Sequence, residues 1–422
     1  MGTAQIVCAA LLLAACSSPA AEDDLPVVTV FGPWRDEAAD LFRASMAPFE
    51  ESTGIEVAYT GSGDFESDIV ERVEGFDSPD IAIFPQPGLL NNLADEAWVV
   101  PLPQDLAEQA EASYRDGVEE FVGTLAEVDG LVYRVNVKSL VWYDPAVFAE
   151  LGYAVPETWD ELDALTVDMI SDGQTPWCFG VEAFGASGWP ATDWIEEIVL
   201  RQAGPAVYDD WVAGDIPFTD ERIDAAFTEF ADLLLQPNQV VEGRRGILNT
   251  GVQRAQDPML EDPARCLMYR QASFQVDNLP SGTTIGPEGD LNVFVLPAIA
   301  DEPAPLVVGA TLAGALVDRP ETWQVMEYLA SPEAGEAWID AGGFISPHES
   351  VQPQDYPNAF EGAVSALLDR AEVVRFDGSD LMDPRVGTGT FFEAMLFFIG
   401  TLRQQEALQI AQEGYGDQPV AP

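Results

Sequence analysis

Two indoles and a carboxylate fall within six residues, Trp189, Asp193 and Trp194, in a loop-to-helix segment rich in small residues. An indole offers a flat apolar face and a carboxylate a directional acceptor, and random core packing has no need of Asp193. The group suits a ring with apolar C–H faces and a rim of hydroxyls, such as a pyranose, held by stacking and by fixed hydrogen-bond partners.

Other residues of the same kind recur along the chain. Trp34 follows a predicted strand and a Gly-Pro turn, which places its ring in a loop at a strand's C-terminal end, where open α/β sheets bind ligands; the alternative is a lid over the local core. Asp64 comes after Gly61-Ser62-Gly63 and before a helix, so it either accepts from ligand hydroxyls or caps that helix. Gln86 stands between Pro85 and Pro87, whose fixed backbone would let the amide meet a ligand with little entropy lost; otherwise it is an exposed loop amide. Trp142 and Tyr143 point to opposite faces if extended, and Tyr143 is the choice for a cleft because its phenol both packs and hydrogen-bonds. Gln271, Ser273 and Phe274 close an apolar stretch and suit a cleft edge. Gly309 lets the backbone approach a ligand or marks a strand bulge. Arg385 offers paired donors to adjacent hydroxyls, or pairs with a nearby Asp.

Bond-breaking chemistry has no comparable signature. With 73 acidic residues, some carboxylate pair lies at any chosen separation, so a secreted glycoside hydrolase is an alternative that composition does not favour. There is no Gly-x-Ser-x-Gly elbow, His-Glu-x-x-His site or P-loop. A single histidine, His348, leaves a metal site short of ligands, and no cofactor is expected. The net charge of -55, with one lysine, Lys138, beside 17 arginines and no basic patch, excludes nucleic acid and polybasic attachment to anionic lipid. Charge of this density points to a salty environment that screens it.

Residues 6–15 form an apolar run too short to span a bilayer, ending in Leu13-Ala14-Ala15-Cys16. This resembles a bacterial lipoprotein signal, in which Cys16 is lipidated, residues 1–15 are removed and 16–25 become a polar tether. Residues 1–5 depart from the pattern in carrying no Lys or Arg. In the exported body only Cys178 and Cys266 remain; they either form a disulfide or stay as separate buried thiols.

The elements that must position these residues follow from periodicity. Strands are predicted at 26–31, 55–59 and 81–84 with helices at 37–51 and 64–74 between them, an alternation that implies a mainly parallel sheet covered by helices. Further strands fall at 291–296 and 306–316, and helices at 158–171, 220–235, 320–330 and 332–341. Thr158 and Glu161 supply a capping box. The length calls for two domains.

An ordered series of motifs then resembles one family. It comprises Thr29-Val30-Phe31-Gly32-Pro33-Trp34, Phe49-Glu50-Glu51-Ser52-Thr53-Gly54-Ile55, Gly61-Ser62-Gly63-Asp64-Phe65-Glu66, Ser78-Pro79-Asp80-Ile81, Ser139-Leu140-Val141-Trp142-Tyr143-Asp144-Pro145 and Pro156-Glu157-Thr158-Trp159. The chain is similar to the extracellular solute-binding proteins of carbohydrate ABC importers, and within them to the α-glucoside-binding lipoproteins. The segments around Trp177-Cys178-Phe179 and Arg265-Cys266-Leu267 resemble that subgroup in carrying one cysteine each, which implies a Cys178–Cys266 disulfide. The resemblance implies a periplasmic-binding-protein type II fold, two interleaved α/β lobes hinged about a ligand cleft. Lobe 1 is expected to span 26–138 and 300–345, lobe 2 139–299 and 346–415, and 416–422 a tail. It also implies a monomeric, non-catalytic receptor outside the cell, tied to the membrane only by lipid. Its partners would be an α-glucoside or other small oligosaccharide and permease subunits with a separate ATPase. The approach to Pro79, Glu74-Gly75-Phe76-Asp77-Ser78, departs from the glycine-rich family pattern.

Overall fold

The structure, a computed structural model, describes residues 25–115, 118, 129–299 and 303–416. The expected signal segment, Cys16 with most of its tether, and the tail beyond 416 lie outside the described residues. The first lobe starts as alternation demands. β1 (Val27–Gly32) pairs parallel with β2 (Glu56–Gly61) and with β3 (Ile81–Phe84), and the helices Asp36–Thr53 and Phe65–Glu74 make the crossovers. β4 (Leu131–Val137) completes the run with all seven residues buried.

The second lobe holds a small antiparallel sheet in the order β6–β5–β7, from β5 (Leu140–Tyr143), β6 (Met268–Arg270) and β7 (Asn292–Val295). β8 (Leu306–Ala315) then returns to the large sheet and inserts between β3 and β4, antiparallel to both, while β9 (Val374–Phe376) pairs parallel with its first residues. The large sheet is therefore mixed, in contrast to the mainly parallel expectation. Alternation reports only strands joined by a local crossover, whereas β8 arrives from the other lobe and takes its direction from its point of re-entry.

Each lobe has its own core. The first gathers Phe42, Tyr59, Tyr133 and Trp338; the second gathers Trp177, Trp194, Trp211, Phe227 and Phe391. The segment 346–376, expected in lobe 2, contributes Tyr356, Phe360, Val364 and Phe376 to the first core. Its helix Ala359–Arg370 sets Phe360 against Trp142 at 5.1 Å, and β9 is tied to the large sheet through β8. Cys178 and Cys266 form a disulfide. The predicted cap at Thr158 is present, with its hydroxyl accepting from the Glu161 N–H at 3.2 Å. Among the described residues no helix is long and apolar enough to cross a membrane, and the apolar Phe391–Thr401 helix is buried in the second core.

Among the described residues, three connections pass between the lobes. They are Lys138–Ser139 between β4 and β5, the stretch between β7 and β8, and Asp377 between β9 and the short helix Gly378–Leu381. The result is a bilobed α/β fold with a hinge, and the cleft opens beside these connections.

Candidate functional site

A cleft of about 740 Å³ lies between the lobes. The first lobe lines it with Pro33, Asp64, Glu66, Gln86, Asn136 and Gly309, the second with Trp189, Asp193, Phe274, Ser379, Asp380 and Phe392. Trp189 opens the helix Trp189–Ala203, preceded by Gly188 at φ 117°, a left-handed turn where a Cβ would also meet the Phe392 backbone carbonyl at 3.0 Å. Half-buried, the Trp189 ring stands 6.1 Å from that of Phe274 at 59°. The two form an apolar corner open to a ligand.

The floor is charged. Lys138 Nζ lies 5.5 Å over the Trp189 ring, ion-pairs with Asp377, and reaches Asp193 Oδ1 at 3.2 Å and Asp380 at 3.9 Å. Arg270 braces the same group from β6, donating to Asp193 Oδ2 at 2.8 Å and to Glu197 at 3.0 Å. Asp193, Glu196 and Glu197 are all completely buried. Carboxyls outnumber cations here, and the excess appears as displaced pKa values. Burial, outweighing Lys138 and Arg270, pushes the Asp193 carboxyl up to about 6. Burial and the neighbouring carboxylates raise Glu196 and Asp380 well above the carboxylate range. Asp377 is held below that range, because Lys138 and its hydrogen bonds overcome burial. Burial alone would lower the Lys138 ammonium, but Asp193, Asp377 and Asp380 hold it well above its ordinary value. Carboxylate oxygens of Asp193, Glu196 and Asp377 approach within 4.8 Å of one another, a spacing able to hold a cation, and Lys138 supplies a cation at that point.

Six of the residues singled out from sequence line the cleft: Asp64, Gln86, Trp189, Asp193, Phe274 and Gly309. Asp64 precedes its helix but its side chain makes no capping bond and is exposed. Gln86 is neither a free amide nor wholly a ligand group. Its carbonyl accepts from the Leu89 N–H at 3.0 Å, capping the helix Pro87–Asp95, and its amide bonds to Glu66, whose carboxyl burial raises. At Gly309 a Cβ would meet Lys138 Cε at 3.1 Å, so the missing side chain makes room for the lysine, with no bulge at that position.

The other six are set elsewhere. Trp34 is drawn into an aromatic cluster, 5.0 Å from Trp338 and 5.4 Å from Phe42, and its neighbour Pro33 reaches the cleft instead. Tyr143 is buried against Phe148 with its hydroxyl accepting from Asn292 at 3.0 Å, and Trp142 is buried too, since both faces of β5 are covered. Trp194 lies one residue off the Trp189–Asp193 helical face and packs edge-on to Trp177 at 5.2 Å. The Gln271 amide is satisfied by Tyr269 at 3.0 Å and by the Ala272 N–H at 2.8 Å. Ser273 accepts from the Val137 N–H at 3.2 Å. Arg385 is exposed and donates to Asp383 at 2.9 Å, the pairing an acidic chain invites.

The family profile of bacterial extracellular solute-binding proteins matches residues 32–336. The chain belongs to that family. The osmoprotective compounds-binding protein GgtB of Synechocystis is 38% identical over 407 residues, covering 94% of each chain. The alpha-glucosides-binding periplasmic protein AglE of Rhizobium meliloti is 36% identical over 383 residues, covering 88% of this chain and 83% of its own. Among solved structures, the solute receptor AcbH superposes with a TM-score of 0.78 at 20% identity, covering 92% of this chain and 97% of its own. The fold is thus that of known solute receptors, and the family is non-catalytic.

For a solute-binding protein the floor matters as much as the aromatic corner, and sequence reasoning passed over most of it. Lys138, Asp377, Ser379 and Asp380 were not singled out, although Lys138 carried a signal as the one lysine in the chain. Phe392 and Asn136 were missed as well, and nothing local separates them from core residues.

Proposed function

We propose that this protein is the lipid-anchored receptor of an ABC importer that captures an α-linked glucoside, or a related small oligosaccharide, outside the cell. It hands the intact sugar to permease subunits driven by a separate ATPase. The carrying observation is the Trp189–Phe274 corner set above fixed polar groups in a cleft of about 740 Å³, room for a short oligosaccharide. Stacking suits the apolar face of a pyranose, and Asp64, Gln86, Asn136 and Lys138 suit its hydroxyl rim. The α-linkage is supported by the name of the rhizobial relative, and the name of the Synechocystis relative extends the range to osmoprotective compounds. Attachment would come through Cys16, with the body a monomer. Lobe 1 would comprise 26–138 and 300–345, joined in its core by 346–376, and lobe 2 the remainder to 415.

The carboxyls around the cleft disfavour anionic ligands. Calorimetry in molar salt against trehalose, sucrose, maltose and a sugar phosphate, with the same mixtures assayed for hydrolysis, tests the reading. Micromolar binding of an intact neutral glucoside, at least about tenfold tighter than the phosphate, supports it. No binding across the neutral panel overturns the α-glucoside assignment.

A further inference from the structure

The three connections between the lobes are gathered onto one face of the helix Trp189–Ala203. Asp193 on that face meets Lys138 of the first connection, and Lys138 in turn ion-pairs with Asp377 of the third. Ser139, next to Lys138, donates to Glu197 at 3.0 Å and accepts from the Val307 N–H at 2.8 Å, where the second connection ends. Arg201, one turn on from Glu197, donates to the Leu296, Pro297 and Pro305 carbonyls of that same connection at 2.8, 3.0 and 3.0 Å. Glu196 accepts from the Gly378 and Ser379 N–H groups, just beyond Asp377, at 2.7 and 3.2 Å. Residues 193, 196, 197 and 201 follow helical spacing, so one rigid element holds the whole hinge.

Within this cluster Lys138 is the hinge residue whose cation also reaches the ligand cleft. It lines the cleft over Trp189, and Gly309 leaves space for its side chain. An ammonium carries three donors; among the described residues Asp193 and Asp377 take two as hydrogen bonds, and Asp380, at 3.9 Å, is beyond hydrogen-bond distance of the third, which an acceptor in the cleft can take.

We propose that Lys138 is the positioning residue that couples cleft occupancy to lobe closure: an oxygen of a neutral sugar accepts its third hydrogen bond and holds it, with Asp193 and Asp377, in the closed setting of the hinge. This rests on the reading of the cleft as a sugar site. A ligand shifts a conformational equilibrium only through contacts that differ between the two states, and a contact to a residue on a connection between the lobes is of that kind. Trp189 gives affinity from within one lobe; Lys138 links affinity to geometry.

Small-angle scattering and calorimetry on the whole protein, with trehalose, sucrose and maltose as probes, separate the two roles. The double variant Lys138→Met with Asp377→Asn removes opposite charges together, and Gly309→Ala presses on the lysine without removing any charge. Wild type should contract on saturation, and Trp189→Ala, at sugar concentrations raised to saturate it, should contract equally. The double variant should still bind, at least tenfold more weakly, and contract by less than half as much; Gly309→Ala should fall between. Wild-type affinity and contraction in both variants would overturn the proposal. A wild type that binds none of the three sugars would overturn the sugar reading first, a different result from sugar bound without Lys138 dependence.

Discussion

Trp189 and Asp193 sit four residues apart on one helix yet do different work. The indole is half-buried and faces the cleft, whereas Asp193 is completely buried and locked to Lys138 and Arg270. Trp189→Ala should therefore cost at least about tenfold in sugar affinity, roughly 1.4 kcal/mol, with little change in thermal midpoint. Calorimetry showing wild-type affinity would remove the ring from the site. Asp193→Ala should instead unseat two cations and lower the midpoint strongly, as breaking a buried pair does. At this scale residue type was legible in the sequence and direction was not. Asp64, Trp189 and Phe274 reach the cleft because each follows a turn or starts a helix. Trp34 and Trp194 are the same residue type in similar company, but side-chain direction there is decided by partners distant in sequence, Trp338 and Trp177.

The buried cluster on the Trp189–Ala203 helix and the buried His348, whose Nδ1 lies 3.0 Å from the Ser113 hydroxyl, give the elements a pH dependence of opposing signs. Asp193, raised to about 6, binds its proton more tightly folded than unfolded. Its contribution is complete below the ordinary carboxylate value of about 4 and is lost as pH rises through about 6. Glu196 and Asp380, raised further by burial and their acidic neighbours, act in the same sense. His348 is opposite: burial beside Tyr114 pushes it down to about 4. Its contribution is present above about 6.5 and lost as pH falls through about 4. Asp377, held low, likewise loses its contribution only in strong acid. In molar salt the thermal midpoint should rise as pH is lowered from 7.5 to about 5.5, then fall, and His348→Asn should soften the acid limb. A midpoint that climbs steadily toward pH 7.5 would contradict these assignments. The disulfide belongs to this scale as well, tying the strand edge at Trp177 to the approach to β6 across 88 residues. Cys178→Ser should lower stability by about 2–4 kcal/mol, and a denaturation midpoint equal to wild type would rule that out. Elements bounded by local signals, such as the capped helix after Thr158, were legible. The antiparallel entry of β8 was not, because its direction is set by a return from the other lobe.

Across the whole molecule, the scarce cations are drawn inward. Of only 18 basic residues, Arg115, Arg134, Lys138, Arg201 and Arg270 have side chains at most a tenth exposed, each paired with a carboxylate. The charge of -55 is consequently even more one-sided at the surface than composition suggests. Exposed carboxylates repel one another over about 10 Å at 0.1 M salt but over about 3 Å at 1 M, while the buried cluster is screened little at either. Salt should therefore stabilise the fold through its surface and leave the hinge cluster's own balance nearly unchanged. Between 0.1 and 1 M sodium chloride the thermal midpoint should climb by several degrees, and the pH profile set by Asp193 and His348 should shift upward without changing shape. A midpoint indifferent to salt would mean that surface repulsion is already relieved by proton uptake. A profile that changes shape would mean that the hinge cluster is open to solvent ions, against the burial of Asp193, Glu196 and Glu197.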